Sequence, residues 1–219
     1  MGTIHPPEPV MLVCGTLAGS EALLDQAVAL LAEHVGPIDL VSETYAFTFT
    51  DYYEREMGSN LKRRFVSFAE LIDPGELASI KRRTNDLERA ATGAVARPIN
   101  LDPGTLSGSQ LVLASTKPHA HRIYLKDGIY AEVTLLYRGG AWAALPWTYP
   151  DFASATYHPW LSAARERCLA RLHSGKSETL SLLGRGEGEG GGLSSGPSPP
   201  LTLPSPRRGE GWPEGRTPR

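Results

Sequence analysis

The stretch Val10-Met11-Leu12-Val13-Cys14-Gly15-Thr16-Leu17 is a continuous apolar run of strand length, and a helix signal follows it almost at once. A strand apolar on both sides belongs in the middle of a sheet, covered above and below. Ser20 stands as a helix N-cap with Glu21 in the first turn. Leu23, Leu24, Ala27, Val28, Leu30 and Leu31 then recur at helical spacing until Gly36-Pro37 ends the run. A second strand is expected from Asp39 to Phe49, its odd positions Val41, Tyr45, Phe47 and Phe49 lining one face with Glu43 among them. Phe65-Val66-Ser67-Phe68 reads as a third strand. Asp73-Pro74-Gly75-Glu76 joins an N-cap, a proline at the first helical position and an acid two residues on, and so starts a helix through Leu77, Ile80, Leu87 and Ala90. Arg97-Pro98-Ile99-Asn100-Leu101 supplies a fourth strand, which Asp102-Pro103-Gly104 is expected to end.

The order β-α-β-β-α-β fits a ferredoxin-like core: two helices on one face of a four-stranded sheet. Beyond it, Ser109 to Thr116 fits either a strand or a short helix. His121–Leu125 and Ile129–Tyr137 flank the hairpin signal Asp127-Gly128, and Arg138-Gly139-Gly140 turns the chain into Ala141–Leu145. The fold class is therefore α+β, a ferredoxin-like βαββαβ core extended by an antiparallel β-meander. An aromatic coil from Trp147 to Pro159 and a helix from Leu161 to Leu172 close the domain.

Composition divides the chain. Gly184 to Arg219 holds ten glycines and seven prolines but one aromatic residue, Trp212, too little apolar surface to offset the entropy of ordering it. The expected organisation is a disordered N-terminus over 1–8, one α+β domain over 9–173 and a disordered low-complexity tail over 174–219. Residues 1–180 carry seventeen basic and twenty acidic residues, which gives no nucleic-acid footprint. Cys14 and Cys168 form neither a disulfide framework nor a metal knuckle. With no signal peptide and no apolar run of spanning length, the chain reads as cytoplasmic, with no membrane partner.

A family resemblance rests on Phe49-Thr50-Asp51-Tyr52-Tyr53-Glu54-Arg55-Glu56-Met57-Gly58, Lys62-Arg63-Arg64-Phe65-Val66-Ser67-Phe68, Asn100-Leu101-Asp102-Pro103-Gly104, Leu113-Ala114-Ser115-Thr116-Lys117, His121-Arg122-Ile123-Tyr124-Leu125, Gly128-Ile129-Tyr130-Ala131-Glu132-Val133-Thr134-Leu135 and Pro146-Trp147-Thr148-Tyr149-Pro150-Asp151. In this order, over about residues 9–165, the chain resembles the bacterial family called domain of unknown function 4416. The resemblance implies no established activity or catalytic residues, although some members carry the label GTP-binding protein. A P-loop needs G-x-x-x-x-G-K-[ST] between strand and helix. Here the first strand is followed by Gly15-Thr16-Leu17-Ala18-Gly19-Ser20, without the lysine, and Gly175-Lys176-Ser177 has Ala170 where the first glycine belongs. Pro200 to Gly211 looks like a translated interspersed repeat, which implies that residues 176–219 are a read-through extension.

Two sets of residues carry the chemistry. Glu43, Asp51 and Glu56 beside Tyr45, Tyr52 and Tyr53 form an acidic set for a divalent cation or acid–base work; the simpler reading pairs these acids with Lys62, Arg63 and Arg64. The second set is Lys62, Arg64, Asn100, Asp102, Lys117, His121, Arg122 and Glu132, basic and hydrogen-bonding residues at strand ends. On a strand, Lys62 and Arg64 share one face and Arg63 takes the other. In the triplet Lys81-Arg82-Arg83, Arg83 is expected beside Ile80, with Lys81 and Arg82 outward. His121 and Glu132 are placed to meet across the hairpin, which would orient the imidazole. The i, i+2 spacing of His119 and His121, with no third ligand nearby, argues against a zinc site.

These sets point to a protein that binds an anionic small molecule, a nucleotide such as GTP included, without a P-loop. The alternatives are a metal-dependent hydrolase using Glu43, Asp51 and Glu56, and a protein or RNA interaction module presenting Trp147–Tyr157. The charge balance makes nucleic acid the weakest partner class. No protein partner and no cofactor beyond a divalent cation is indicated.

Overall fold

The computed structural model describes residues 2–183, with side chains to residue 175. The chain runs β1 (Val10–Ala18), α1 (Glu21–His34), β2 (Ile38–Val41), β3 (Tyr45–Ala46), α2 (Glu54–Met57), β4 (Lys62–Ile72), α3 (Leu77–Ala90), β5 (Ile99–Leu106), β6 (Gln110–Ser115), β7 (Ile123–Lys126), β8 (Ile129–Arg138), β9 (Ala141–Ala144), α4 (Pro150–Ala153) and α5 (His158–Leu183). The fold is α+β. Its nine strands form one antiparallel sheet in the order β2-β4-β1-β5-β6-β8-β7, with β3 also on β4 and β9 on β8. The meander β6 to β9 extends this sheet rather than lying beside it.

Helices cover both faces. Leu24, Ala27 and Leu31 of α1 and Ile80 of α3 pack on Leu12, Cys14, Val66, Phe68 and Leu101. On the other face, Trp160, Leu161, Ala164 and Cys168 of α5 pack on Met11, Val13, Phe65, Leu106, Leu111 and Leu135. Each fully buried leucine contributes about 2 kcal/mol through the area it removes from water. The apolar cover on the α5 side ends near Phe65 and Leu113. Two residues further along β4 and β5 on that same face stand Arg63 and, beyond Gly104, Asp102 and Asn100. Glu132, opposite Leu113 in the β6–β8 ladder, belongs to the same polar end.

Several local features differ from the sequence expectations. The strand expected over Asp39–Phe49 is two short strands, because Ser42 interrupts it. The Ser42 hydroxyl accepts from the Phe65 N–H at 2.9 Å, substituting a side chain for a ladder carbonyl, and the chain leaves the sheet. Glu43 then projects into solvent instead of sharing a face with the aromatic residues. Asp102-Pro103-Gly104 does not end β5, which pairs with β1 straight through it. The β5–β6 ladder does stop there. It spans only Gly104–Leu106 against Leu111–Leu113, and the next residue of β5 is Pro103, which has no N–H to donate. Gly104 is required at this point, because a Cβ would stand 2.5 Å from the Val112 carbonyl oxygen.

Both expected hairpins are present, with positive φ at Asp127 and Gly128 and at Gly139 and Gly140. Ser109–Thr116 resolves as strand β6. The segment expected as coil from Trp147 contains α4 and a 3-10 turn at Ala155–Tyr157 that buries Tyr157. Helix α5 starts at His158 and continues to Leu183, past the point where the tail was expected to begin. The remainder of that expected tail, 184–219, lies outside the described residues. No described helix is long and apolar enough to cross a membrane.

Candidate functional site

Where β5 and β6 part, the sheet has a fork. Backbone groups that a neighbouring strand would satisfy need other partners there, and α3 supplies them from the opposite face. The Lys81 ammonium donates to the Leu101 carbonyl at 2.7 Å, and the Glu88 carboxylate accepts from the Leu101 N–H at 2.8 Å. Lys81, Thr84 and Glu88 form one stripe of α3 with Leu77, at i, i+3 and i+4 spacing. Lys81 therefore points inward and is buried, contrary to the expected outward orientation, while Arg82 is exposed as expected and Arg83 is exposed as well.

The fork opens into a cleft of about 710 Å3. On one wall, Arg97 donates to Glu88 at 2.5 Å and to the Asn100 side-chain oxygen, and Asn100 donates to Asp102 at 2.7 Å. Asp102 also lies 3.7 Å from Lys81 and 3.9 Å from Arg63. On the other wall, Glu132 accepts from Arg122 Nε at 2.8 Å and faces His121 Nε2 at 2.9 Å. Arg122 also donates to Ser115 at 2.7 Å, to the Lys117 carbonyl at 2.8 Å and to the Tyr149 hydroxyl at 2.5 Å, so its guanidinium is occupied by the protein. His121 is stacked between Trp147, at 5.2 Å, and His119, at 5.8 Å.

The floor of the cleft is Arg63. Its side chain is 4% exposed, and its guanidinium lies 4.8 Å above the Phe47 ring. It makes no direct hydrogen bond to the described residues; the nearest carboxylate oxygens are those of Asp151, at 3.7 Å, and Asp102, at 3.9 Å. Burial works against its charge, but Asp151 and Asp102 outweigh this and hold it above the usual arginine value. Burial pushes the Asp151 carboxyl up, with Arg63 opposing. Burial also pushes the Tyr53 phenol up, and Asp102 adds to that. A second buried polar atom without a partner, Glu132 Oε1, belongs to the opposite wall.

Six of the eight residues expected to bind a ligand line this cleft: Asn100, Asp102, Lys117, His121, Arg122 and Glu132. Lys62 and Arg64 do not. They lie on the opposite side of β4, where Lys62 meets Glu21 at 3.2 Å and Arg64 meets Glu21 at 2.8 Å and Asp25 at 2.5 Å. Nor do the three candidate acids converge. Glu43 and Asp51 are exposed away from the cleft, and Glu56 sits at its rim, 3.7 Å from Arg97. Among the described residues no three His, Cys, Asp or Glu side chains are grouped to hold a metal ion. Arg63, Lys81 and Arg97 also line the cleft, outside the set expected to bind a ligand, and Trp147 and Tyr149, expected only as part of an interaction surface, line it too. The available signal for Arg63 was its place between Leu61 and Phe65 on an otherwise apolar strand face.

Residues 8–168 match the sequence model of a family described as Domain of unknown function (DUF4416). The chain belongs to this family. The DUF4416 match contains every cleft residue named above, from Phe47 to Asp151, so the cleft is part of the family domain rather than an appendage. No curated protein and no solved structure matches the chain.

Proposed function

We propose that the cleft binds an anionic small molecule of about nucleotide size. The observation that carries this reading is Arg63. A guanidinium is a planar fork of donors suited to the paired oxygens of a phosphate or carboxylate, and this one is buried at the floor of a cleft with its donors unspent. A desolvated arginine without direct hydrogen bonds is costly to the free protein, and an oxyanion bridging it would recover that cost. The cleft's volume falls in the usual range for small-molecule sites. Tyr52, Trp147 and Tyr149, all partly exposed at its rim, offer faces for a flat ring. Lys117 meets Tyr52 rather than a carboxylate, which leaves its charge available.

The test is a thermal-shift and calorimetry panel of inorganic phosphate, pyrophosphate, GTP, ATP and sugar phosphates, with and without Mg2+. A ligand at a hundred times its Kd adds about 2.7 kcal/mol to the stability. Arg63→Gln should abolish the shift, whereas Arg64→Ala should preserve it. A shift unchanged in Arg63→Gln, or lost equally in Arg64→Ala, would refute this assignment of the site.

A further inference from the structure

We propose that the same cleft hydrolyses phosphate esters, with His121 as the general base; this rests on the anion-binding reading above and goes beyond it. The argument begins with a buried carboxylate. Glu132 is 2% exposed and shares one oxygen between Arg122, at 2.8 Å, and His121 Nε2, at 2.9 Å. A carboxylate oxygen held between Arg122 Nε and His121 Nε2 accepts from both, which places the proton of the histidine contact on Nε2. In the neutral form of such a ring, Nδ1 is the bare nitrogen. It makes no hydrogen bond to the described residues, and the side chain is 25% exposed in the wall of the cleft. The stacks on Trp147 and His119, 10° and 4° from parallel, hold the ring plane. A ring held by a buried acid in the wall of a ligand cavity is an arrangement that can serve proton abstraction.

Neither the cysteines nor Ser115 is placed to attack a bound ester. Cys14 and Cys168 are buried outside the cleft, and burial pushes both thiols up. The Ser115 hydroxyl accepts from Arg122. The proposed attacking group is water. Its oxygen bonds to phosphorus as its proton passes to His121 Nδ1, and the bond from phosphorus to the leaving oxygen breaks with its electron pair. The leaving group departs as an alkoxide or phenolate and is protonated by solvent. Glu132 stabilises the imidazolium until it returns its proton to water. Arg63 and Lys117 are the cations available to the phosphoryl oxygens.

The experiment measures phosphate or nitrophenolate release from p-nitrophenyl phosphate, bis(p-nitrophenyl) phosphate and GTP by the full chain. The same protein is tested for thermal stabilisation by inorganic phosphate. His121→Asn should lower kcat by about 10^2 to 10^4, the range of a general base, while leaving phosphate stabilisation in place. Glu132→Gln, which removes the negative charge that stabilises the imidazolium, should lower kcat with little effect on KM. Nitrogen-15 spectra of the unmodified protein give a reading independent of any variant's folding: Nε2 should carry the proton and Nδ1 should be bare. Stabilisation by phosphate without turnover of any of the three substrates would overturn the hydrolase and leave the binding site standing. Unchanged kcat in His121→Asn, or a protonated Nδ1, would also overturn it. Neither stabilisation nor turnover would overturn both readings.

Discussion

Replacing Arg63 with methionine should separate what the cleft needs from what the fold tolerates. The side chain is about the right length to keep its contacts with Phe47, Phe65 and Phe152, so little packing is lost. What disappears is the positive charge beside Asp151, whose own side chain is 7% exposed. Removing one member of a buried pair costs about 3–5 kcal/mol, because the other charge is left uncompensated. The 3.7 Å separation and the missing direct hydrogen bond place Arg63→Met at the low end, about 3 kcal/mol. Asp102 suffers less, since Asn100 and Lys81 remain beside it. Adding Asp151→Asn removes the orphaned charge, and the double variant should return to within about 1 kcal/mol of the parent. Acidity gives a second reading. Burial already pushes the Asp151 carboxyl up, and loss of Arg63 pushes it further. A carboxyl raised in the folded state binds protons more readily there than in the unfolded chain. The deficit of Arg63→Met is therefore full at neutral pH and shrinks as pH falls through the raised value toward the ordinary carboxylate range. Urea unfolding of the parent, single and double variants at neutral and mildly acidic pH measures all of this. A double variant as unstable as the single one, or a single-variant deficit that does not shrink on acidification, would refute the reasoning.

Other perturbations test other parts. Gly104→Ala should cost about 3 kcal/mol or prevent folding, since its Cβ would meet the Val112 carbonyl oxygen at 2.5 Å. Gly128→Ala has open space around it but a φ of 77°, and should cost only about 1–2 kcal/mol in thermal melts. Glu88→Ala frees the Leu101 N–H and two Arg97 contacts, so stability should fall by about 2–3 kcal/mol and hydrogen exchange at Leu101 should accelerate. Lys62→Ala removes a single surface ion pair and should change stability by less than about 1 kcal/mol in denaturant titrations. Ending the chain after Gly175 should leave the melting temperature within about two degrees by scanning calorimetry; a drop of several degrees would mean that the end of α5 contributes to the fold.

The parts of the fold legible in the sequence are those set by local chemistry. Ser20 does cap α1, accepting from the Leu23 N–H, and Asp73 forms a capping box with Glu76. Asp127-Gly128 and Gly139-Gly140 turn the hairpins their residue types require. What misled was tertiary. Asp102-Pro103-Gly104 has turn composition, yet β1 pairs with all three residues and outweighs their preference. The Ser42 hydroxyl breaks a strand whose alternation looked continuous, because its bond to Phe65 joins residues far apart in sequence. For the cleft, alternation correctly separated Arg63 from Lys62 and Arg64. Which side a helix would cover depends on α1 and α5, and the three-residue triplet holds no information about either. Lys81 was misplaced for a related reason: apolar spacing identifies the stripe facing the sheet, but not a polar residue drawn inward by unpaired backbone.

The fork between β5 and β6 makes the sheet permeable to its own back surface. Lys81 and Glu88 are rooted in the helical layer, yet they hold the Leu101 backbone and approach the acids and arginines of the cleft from behind. Arg82, one residue along α3, reaches outward instead and pairs with Asp127 in the turn between β7 and β8, at 3.1 Å. One helix thus grips the cleft floor with its inner stripe and the far hairpin with its outer one. A shift of α3 would therefore disturb the Leu101 backbone and the β7–β8 turn together.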